Sequence, residues 1–173
     1  MAEAKTGEAF VTHELDEAIA IQRAIVDAEE RLSSEHPRPA AQQLIRKDLK
    51  NDQRFLKQLE ELGRTKGATG RVEEVAGSLE QLMTQTTEKA AEAESEAYEA
   101  HAVLLNLKRK QQDSAQAMIK MARAMKDDRM RDAAVEFEKE TKQSAQELAS
   151  ELAELAVAIA TNESASQSAG SSR

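Results

Sequence analysis

The sequence contains no cysteine, no tryptophan and only two prolines, and just 2% of its 173 residues are aromatic. The absence of cysteine excludes disulfides, thiolate metal ligands and a cysteine nucleophile. Pro37 and Pro39 lie close together, so the chain from Ala40 to Ala160 has no proline to interrupt a helix. Runs of the β-branched and aromatic residues typical of strands are also missing. Ala, Glu, Gln, Lys and Leu dominate, and this composition predicts an all-α protein.

The sequence has fewer basic than acidic residues, with 24 Lys and Arg and 32 Asp and Glu, so its formal net charge is −8. An acidic surface disfavours binding to nucleic acids and anionic membranes, since both attract basic proteins. No apolar run approaches the ~20 residues that span a bilayer, and the N-terminal segment lacks the pattern of a secretion signal. We therefore expect a cytoplasmic protein with neither a nucleic-acid nor a membrane partner.

Apolar residues recur at spacings of three and four along most of the chain, which is the period of helices with one buried face. We expect one helical domain over 9–160, preceded by a flexible segment at 1–8 and followed by a disordered Ser-rich tail at 161–173. Short connections within two helix pairs, and a longer crossover with an extra short helix between them, predict a four-helix bundle. The predicted helices are 9–32, 40–62, 71–87, 88–125 and 129–160, with a weak point at 84–87 and a turn at 126–128.

One polar residue interrupts the apolar stripe near the middle of each of the four long helices. A buried polar group without a partner costs about 1–3 kcal/mol, so packing alone gives no reason to place four of them at one level. The pattern therefore indicates a functional site or the remains of one. These residues are Gln22, Asp48, Gln111 or its neighbour Gln112, and Glu140.

The two helix pairs also resemble each other, because Ile-Arg-Lys-Asp at 45–48 aligns with Phe-Glu-Lys-Glu at 137–140. With this helix order, the crossover segment 71–79 and the Gln-x-x-Ala-x-x-x-Ile pattern at 112–119, the chain resembles the ferritin-like superfamily. Within it, the chain is most similar to the bacterial stress-associated proteins of the YciF type, over about 14–155. The resemblance implies two iron or manganese ions, held by one glutamate from each of the first and third long helices and by Glu-x-x-His from each of the second and fourth.

The positions that correspond to these metal ligands carry no histidine and only two carboxylates. Two carboxylates balance the charge of two divalent ions poorly, whereas amides and carboxylates form hydrogen bonds with one another readily. We expect a degenerate site that holds no metal and is filled by a polar, hydrogen-bonded layer. Its positions are Gln22, Asp48, Asn51, Gln112 (or Gln111, which the apolar stripe favours), Glu140 and Gln143.

The sequence identifies no catalytic or cofactor-binding residues, so it does not favour an enzyme. We expect a non-catalytic ferritin-like bundle that acts through a homodimer or a protein partner, in the stress-related setting that the resemblance implies. One alternative is an iron- or manganese-dependent protein that oxidises and stores iron or consumes peroxide. Another is a coiled-coil adaptor unrelated to ferritins, which a continuous helix over 72–125 would favour. The shifted metal ligands of the first alternative would be Glu29, Asp48, Asp52 and Glu140.

The three histidines are too scattered to form a metal site of their own. His13 and Glu17 are one helical turn apart, but no third ligand accompanies them. His36 lies in the proline-flanked loop, and we expect it to be exposed. We expect His101 to lie at the surface or at an interface.

Overall fold

The chain forms five helices in a computed structural model that describes residues 6–71 and 75–170, with side chains over 6–71, 78 and 81–161. All regular secondary structure in these ranges is helical, so the all-α prediction is confirmed. The helices are α1 (Glu8–Glu35), α2 (Pro39–Thr65), α3 (Val75–Lys89), α4 (Glu94–Met125) and α5 (Asp128–Gly170).

The helix ends differ from the prediction mainly on either side of the third helix. The predicted start at 71–74 falls partly outside the described residues, and α4 begins at Glu94 rather than at residue 88. The expected weak point at 84–87 stays helical, and within it the hydroxyl groups of Thr86 and Thr87 donate hydrogen bonds to the Met83 carbonyl. The chain breaks after Lys89 instead.

The last helix continues to Gly170, so its predicted end near Ala160 is too early. Residues 161–169 include neither proline nor glycine, and no strong helix breaker occurs before Gly170. The disorder expected for 161–173 in solution stays a prediction. At the other end, α1 starts at Glu8, and residues 1–5 lie outside the described part of the chain.

The four long helices form two antiparallel pairs that pack side by side. α1 contacts α2, α4 contacts α5, and the pairs meet through α1 with α4 and α2 with α5, while α3 packs against α1 and α4. Ion pairs show that α2 and α5 are antiparallel, since Lys47 pairs with Glu147 at 2.6 Å and Arg54 with Glu136 at 3.1 Å. None of the described helices is long and apolar enough to cross a membrane.

Two apolar clusters fill the interior and leave a polar layer between them. One cluster includes Ile25, Leu32, Ile45, Leu104 and Leu148, and the other includes Leu15, Ile19, Phe55, Met118 and Phe137. On every long helix, the change from one cluster to the other coincides with buried polar residues. This layer lies at the waist of the molecule, where the sequence places the four polar interruptions. Its fully or nearly fully buried members are Gln22, Glu29, Asp48, Asp52, Lys108, Gln111, Ser114, Thr141 and Ser144.

The turn between α4 and α5 follows the prediction at 126–128. Lys126 ends α4 in the left-handed conformation, with φ of 57°. Asp127 accepts a hydrogen bond from the backbone N–H of Met130 at 2.9 Å, as an N-cap residue does. Its carboxylate also pairs with Lys66 at 2.7 Å, which connects this turn to the end of α2.

The loop after α2 is held against α1 by Asp16. Its carboxylate accepts hydrogen bonds from the backbone N–H groups of Thr69 at 2.6 Å and Gly70 at 2.8 Å. Gly70 has a φ of +72°, and a Cβ atom there would collide with Ile19 and Arg23. Glycine at this position therefore allows both the turn and the close approach to α1.

Candidate functional site

The centre of the polar layer is Lys108 of α4, whose side chain is only 1% exposed. Its Nζ atom lies 2.7 Å from Oε1 of Glu29 on α1 and forms a hydrogen-bonded ion pair with Oδ2 of Asp52 on α2. The contact with Glu29 is close enough for an ion pair but not aligned as a hydrogen bond, and neither Glu29 oxygen has a hydrogen-bond partner within the described ranges. One ammonium group thus joins three helices at the waist.

Electrostatics favours the charged form of Lys108 although the group is buried. Burial alone would lower the pKa of Lys108, but Glu29, Asp52 and Asp48 together raise it above its ordinary value. Burial raises the pKa of Glu29 well above its ordinary value, with Lys108 opposing the shift and Asp52 adding to it. Burial also raises the pKa of Asp48, while Lys108 and a hydrogen bond from Ser144 oppose it. At both Glu29 and Asp48 the lysine charge therefore opposes the effect of burial on the carboxyl group.

Two glutamines extend this centre across the layer. Gln22 donates to Oδ1 of Asp52 at 2.6 Å and accepts a hydrogen bond from Gln111 at 3.0 Å. The same Gln111 nitrogen is 2.8 Å from the backbone oxygen of Ala18. A continuous chain of polar contacts therefore runs from the backbone of α1 to Lys108. Such a network fixes how the helices align along their axes, since shifting one helix by a turn would break several buried contacts at once.

Beside this centre, α2 and α5 enclose a small polar pocket that reaches the surface. Its volume of about 30 Å³ is enough for one or two water molecules. Ser144 donates to Asp48 at 2.6 Å, and Asn51 donates to Glu140 at 3.4 Å. The Thr141 hydroxyl, also at the pocket, is buried without a hydrogen-bond partner among the described residues. Asp52 lines the pocket as well, so it belongs to both the pocket and the lysine centre.

The structure brings together only some of the residues predicted from sequence. Gln22 and Asp48 lie in the buried layer, as expected. Of the two candidates on α4, Gln111 is fully buried and contacts Gln22, whereas Gln112 is only half-buried. The apolar stripe therefore predicts the inward-facing residue correctly, and the spacing implied by the family resemblance does not.

Asn51 on α2 and the two predicted positions on α5 lie further out than the prediction placed them. Glu140 and Asn51 are half-buried at the rim of the pocket. Gln143 is exposed and donates to Glu147 at 2.9 Å on the same helix. The α5 residues that do face inward are Thr141 and Ser144, each one position further along the chain. The six predicted positions are therefore divided between the buried centre, the pocket and the surface.

Sequence reasoning missed Lys108 because lysine is rarely buried without a partner. The spacing nevertheless carried a signal, since Lys108 is four residues after Leu104 and three before Gln111, both of which are buried. Glu29 and Asp52 also fall within the apolar stripes of their helices. A lysine and two carboxylates inside apolar stripes indicate an internal ion pair.

The positions expected for two of the histidines are also wrong. His36 and His101 both have 0% exposure and lie edge to face, with ring centroids 5.8 Å apart. His101 lies on α4 and contacts the backbone oxygen of Leu148 on α5 at 2.9 Å. The His36 side chain therefore turns inward, although its neighbours Pro37 and Pro39 are exposed.

The residues at the waist do not fit a di-iron or di-manganese centre. Such a centre needs several ionised carboxylates and imidazoles that are free to bind metal. Here the ammonium of Lys108 lies between Glu29 and Asp52, where it would repel a divalent ion. Among the described residues, no group of three or more histidine, aspartate or glutamate side chains is arranged to hold a metal ion.

Comparison with known proteins adds no family assignment. No protein-family model matches the chain, and no curated protein is significantly similar to it. A functional conclusion therefore depends on the geometry of the waist.

Proposed function

We propose that this protein is a non-catalytic ferritin-like four-helix bundle in which an internal lysine takes the place of a metal centre. It acts as a scaffold through self-association, as a homodimer, or through a protein partner. The stress-related setting comes only from the resemblance to the YciF-type proteins. The observation that carries the proposal is the burial of Lys108 between Glu29 and Asp52.

A buried ammonium can perform the structural part of a metal's role. It neutralises carboxylates that face one another inside the molecule and connects the helices that carry them. Unlike a metal ion, it does not exchange with solvent and supplies neither redox chemistry nor a bound hydroxide. A site that has such a group at its centre supports stability and helix alignment rather than turnover.

Access to the centre also favours a scaffold. Gln22, Glu29 and Gln111 have 0% exposure, so a substrate cannot reach them without opening the helices. The opening that the described residues form beside the centre is the small α2–α5 pocket, which has room for water rather than for an organic substrate. Function is then expected at the outer surface of the helices.

The structure counts against both alternatives. The shifted ligand set for iron or manganese includes Glu29 and Asp52, and Lys108 already occupies the space between them. A coiled-coil adaptor would favour one continuous helix over 72–125, but α3 ends at Lys89 and α4 begins at Glu94.

Elemental analysis and light scattering together test the proposal. Protein purified without chelators from cells supplied with iron and manganese should contain well below one metal ion per chain. Its light-scattering mass should correspond to a dimer or a complex with a co-purified protein. One or two ions per chain, with iron-oxidising or peroxide-consuming activity lost in Asp48→Ala and Glu140→Ala, would establish the metalloprotein instead. A strictly monomeric, partner-free protein would contradict the scaffold.

A further inference from the structure

The connection between α1 and α2 contains a second buried polar contact that the waist does not explain. His36 follows α1 directly, and its backbone N–H still bonds to the Leu32 carbonyl at 3.2 Å. The His36 ring then turns inward and meets His101 of α4 edge to face. Both rings are fully buried, at the end of the molecule where α1, α2, α4 and α5 come together.

Hydrogen bonds determine which nitrogen of each neutral ring carries its proton. The backbone N–H of Arg38 donates to Nδ1 of His36 at 3.1 Å, so Nδ1 is unprotonated and Nε2 carries the hydrogen. Nε2 of His101 is 2.9 Å from the Leu148 carbonyl, which can only accept, so Nε2 carries the hydrogen and Nδ1 is free to accept. Each ring is therefore in the state that its backbone partner requires.

One nitrogen of each ring remains without a hydrogen bond among the described residues. Nε2 of His36 is a donor and Nδ1 of His101 is an acceptor, and neither has a hydrogen-bond partner in the part of the chain that the structure describes. A metal ion is excluded as a common partner, because binding at Nε2 of His36 would force the proton onto Nδ1, against the Arg38 N–H. The Arg38 hydrogen bond requires a neutral His36 ring, and burial favours the neutral form of both rings.

Protonation of His36 would place two donors against each other, because a proton on Nδ1 would face the Arg38 N–H. Protonation of His101 would add a charge and a buried Nδ1–H that has no acceptor among the described residues. The charged groups described near the two rings include the Arg38 guanidinium and Glu151 of α5, which form an ion pair at 2.9 Å. Glu35 at the end of α1 is exposed, and Arg46 of α2 donates to the Ser33 carbonyl at 2.8 Å. Arg38 repels a charge on His36, and Glu151 attracts a charge on His101.

We propose that His36 and His101 form an acid-sensitive latch that holds the α1–α2 connection against α4 and α5, and that protonation releases it. Burial, reinforced by His101, lowers the pKa of His36 from 6.5 to about 4. Burial likewise lowers the pKa of His101. Because both folded-state values lie below the unfolded value, the latch is closed above about pH 6.5 and its stabilisation decreases as the pH falls towards 4.

Two conservative variants test the latch, with a surface histidine as the control. In His36→Asn, the side-chain oxygen can accept the Arg38 N–H as Nδ1 does, and in His101→Gln the amide can still donate to Leu148, but neither residue titrates. His13→Gln removes a partly exposed histidine that pairs with Glu17 at 3.5 Å. Each of the three variants loses one titratable imidazole ring. The ring is buried in the latch in the first two variants and partly exposed in the control.

Amide hydrogen exchange at residues 34–36, 38 and 40, corrected for the intrinsic pH dependence, reports the opening of the connection. From pH 6.5 to 4.5 we expect opening to increase by up to tenfold per pH unit for each buried ring, so it should increase less steeply in His36→Asn and His101→Gln, which each keep one such ring, than in wild type and His13→Gln. Equal pH dependence in wild type and His36→Asn would overturn the proposal. If the variants do not fold, the ring NMR titration of the wild type decides: a His36 pKa near 4 supports the latch, and one near 6.5 refutes it.

Discussion

The substitution Lys108→Met tests how much the buried ion pairs at the waist stabilise the protein. Methionine has nearly the length of lysine, so the substitution removes the charge while keeping most of the packing. Glu29 and Asp52 then remain buried with no cation beside them, because Lys108 is the only base that pairs with either carboxylate in the described part of the chain.

The size of the effect follows from the charge that is left behind. Removing one partner of a buried ion pair costs about 3–5 kcal/mol, because the remaining charge has no compensation. A domain of this size has a total stability of about 5–15 kcal/mol, so the loss is a large share. With a urea dependence of about 2 kcal/mol per molar, the midpoint of unfolding should fall by about 2 M.

Urea unfolding followed by circular dichroism at pH 7 measures this shift. Lys110→Met is the matched control, because Lys110 lies on the same helix, is 40% exposed and pairs with Glu17 at 3.5 Å. We expect the control to change stability by less than about 0.5 kcal/mol. Adding Glu29→Gln and Asp52→Asn to Lys108→Met should recover part of the loss, since the buried charges are then gone.

Two results would refute the role of Lys108 as the internal counter-charge. If Lys108→Met lowered stability no more than Lys110→Met, the ammonium would not be paired inside the protein. If neutralising both carboxylates made Lys108→Met less stable still, the carboxylates would be stabilised by something other than Lys108.

Three further substitutions test how the turns are built, each by thermal or urea unfolding. Lys126→Gly should raise stability by about 1 kcal/mol, because glycine adopts the positive φ without strain; a loss would show that the lysine side chain matters more. Asp127→Ala should cost about 0.5–2 kcal/mol through loss of the helix cap. The contacts with Lys66 and the Met130 N–H lower the pKa of Asp127, so the extra stability of wild type over Asp127→Ala should decrease as the pH falls below about 4. A stability difference that does not change in acid would contradict the capping role. Gly70→Ala should destabilise by at least about 1–2 kcal/mol, and a neutral result would show that the loop adapts.

Much of the fold could be predicted because helical periodicity is a local property of the sequence. The proline pair at 37–39 separates α1 from α2, and the polar run at 126–128 separates α4 from α5, as predicted. The break between α3 and α4 could not be predicted from composition. Thr86 and Thr87 have poor helix propensity, yet their hydroxyl groups bond back to the preceding turn. Tertiary packing, with Thr87 and Ala90 both buried, overrides the local preference.

The site was predictable only where it depends on which face of a helix is buried. Gln22, Asp48 and Gln111 fall on apolar stripes and are buried as the pattern indicates. The burial of Lys108 was not predicted, because lysine usually lies at the surface. Only its partners on other helices explain why it is buried. The same holds for His36, whose loop position predicts exposure although its ring packs against His101. Contacts between distant segments decide these cases, and a single sequence does not display them.

The protonation state of Lys108 is the most direct test of the claim that its ammonium stands in for a metal at the waist. NMR of the Lys108 Nζ and Cε atoms, assigned by the signals missing from Lys108→Met, reads this state between pH 5 and 11. The carboxylates raise the pKa of Lys108, so the group should stay charged and protected from solvent beyond the ordinary lysine value of 10.5. A Lys108 that loses its proton at or below that value, or that exchanges freely with water, would contradict this role for the ammonium.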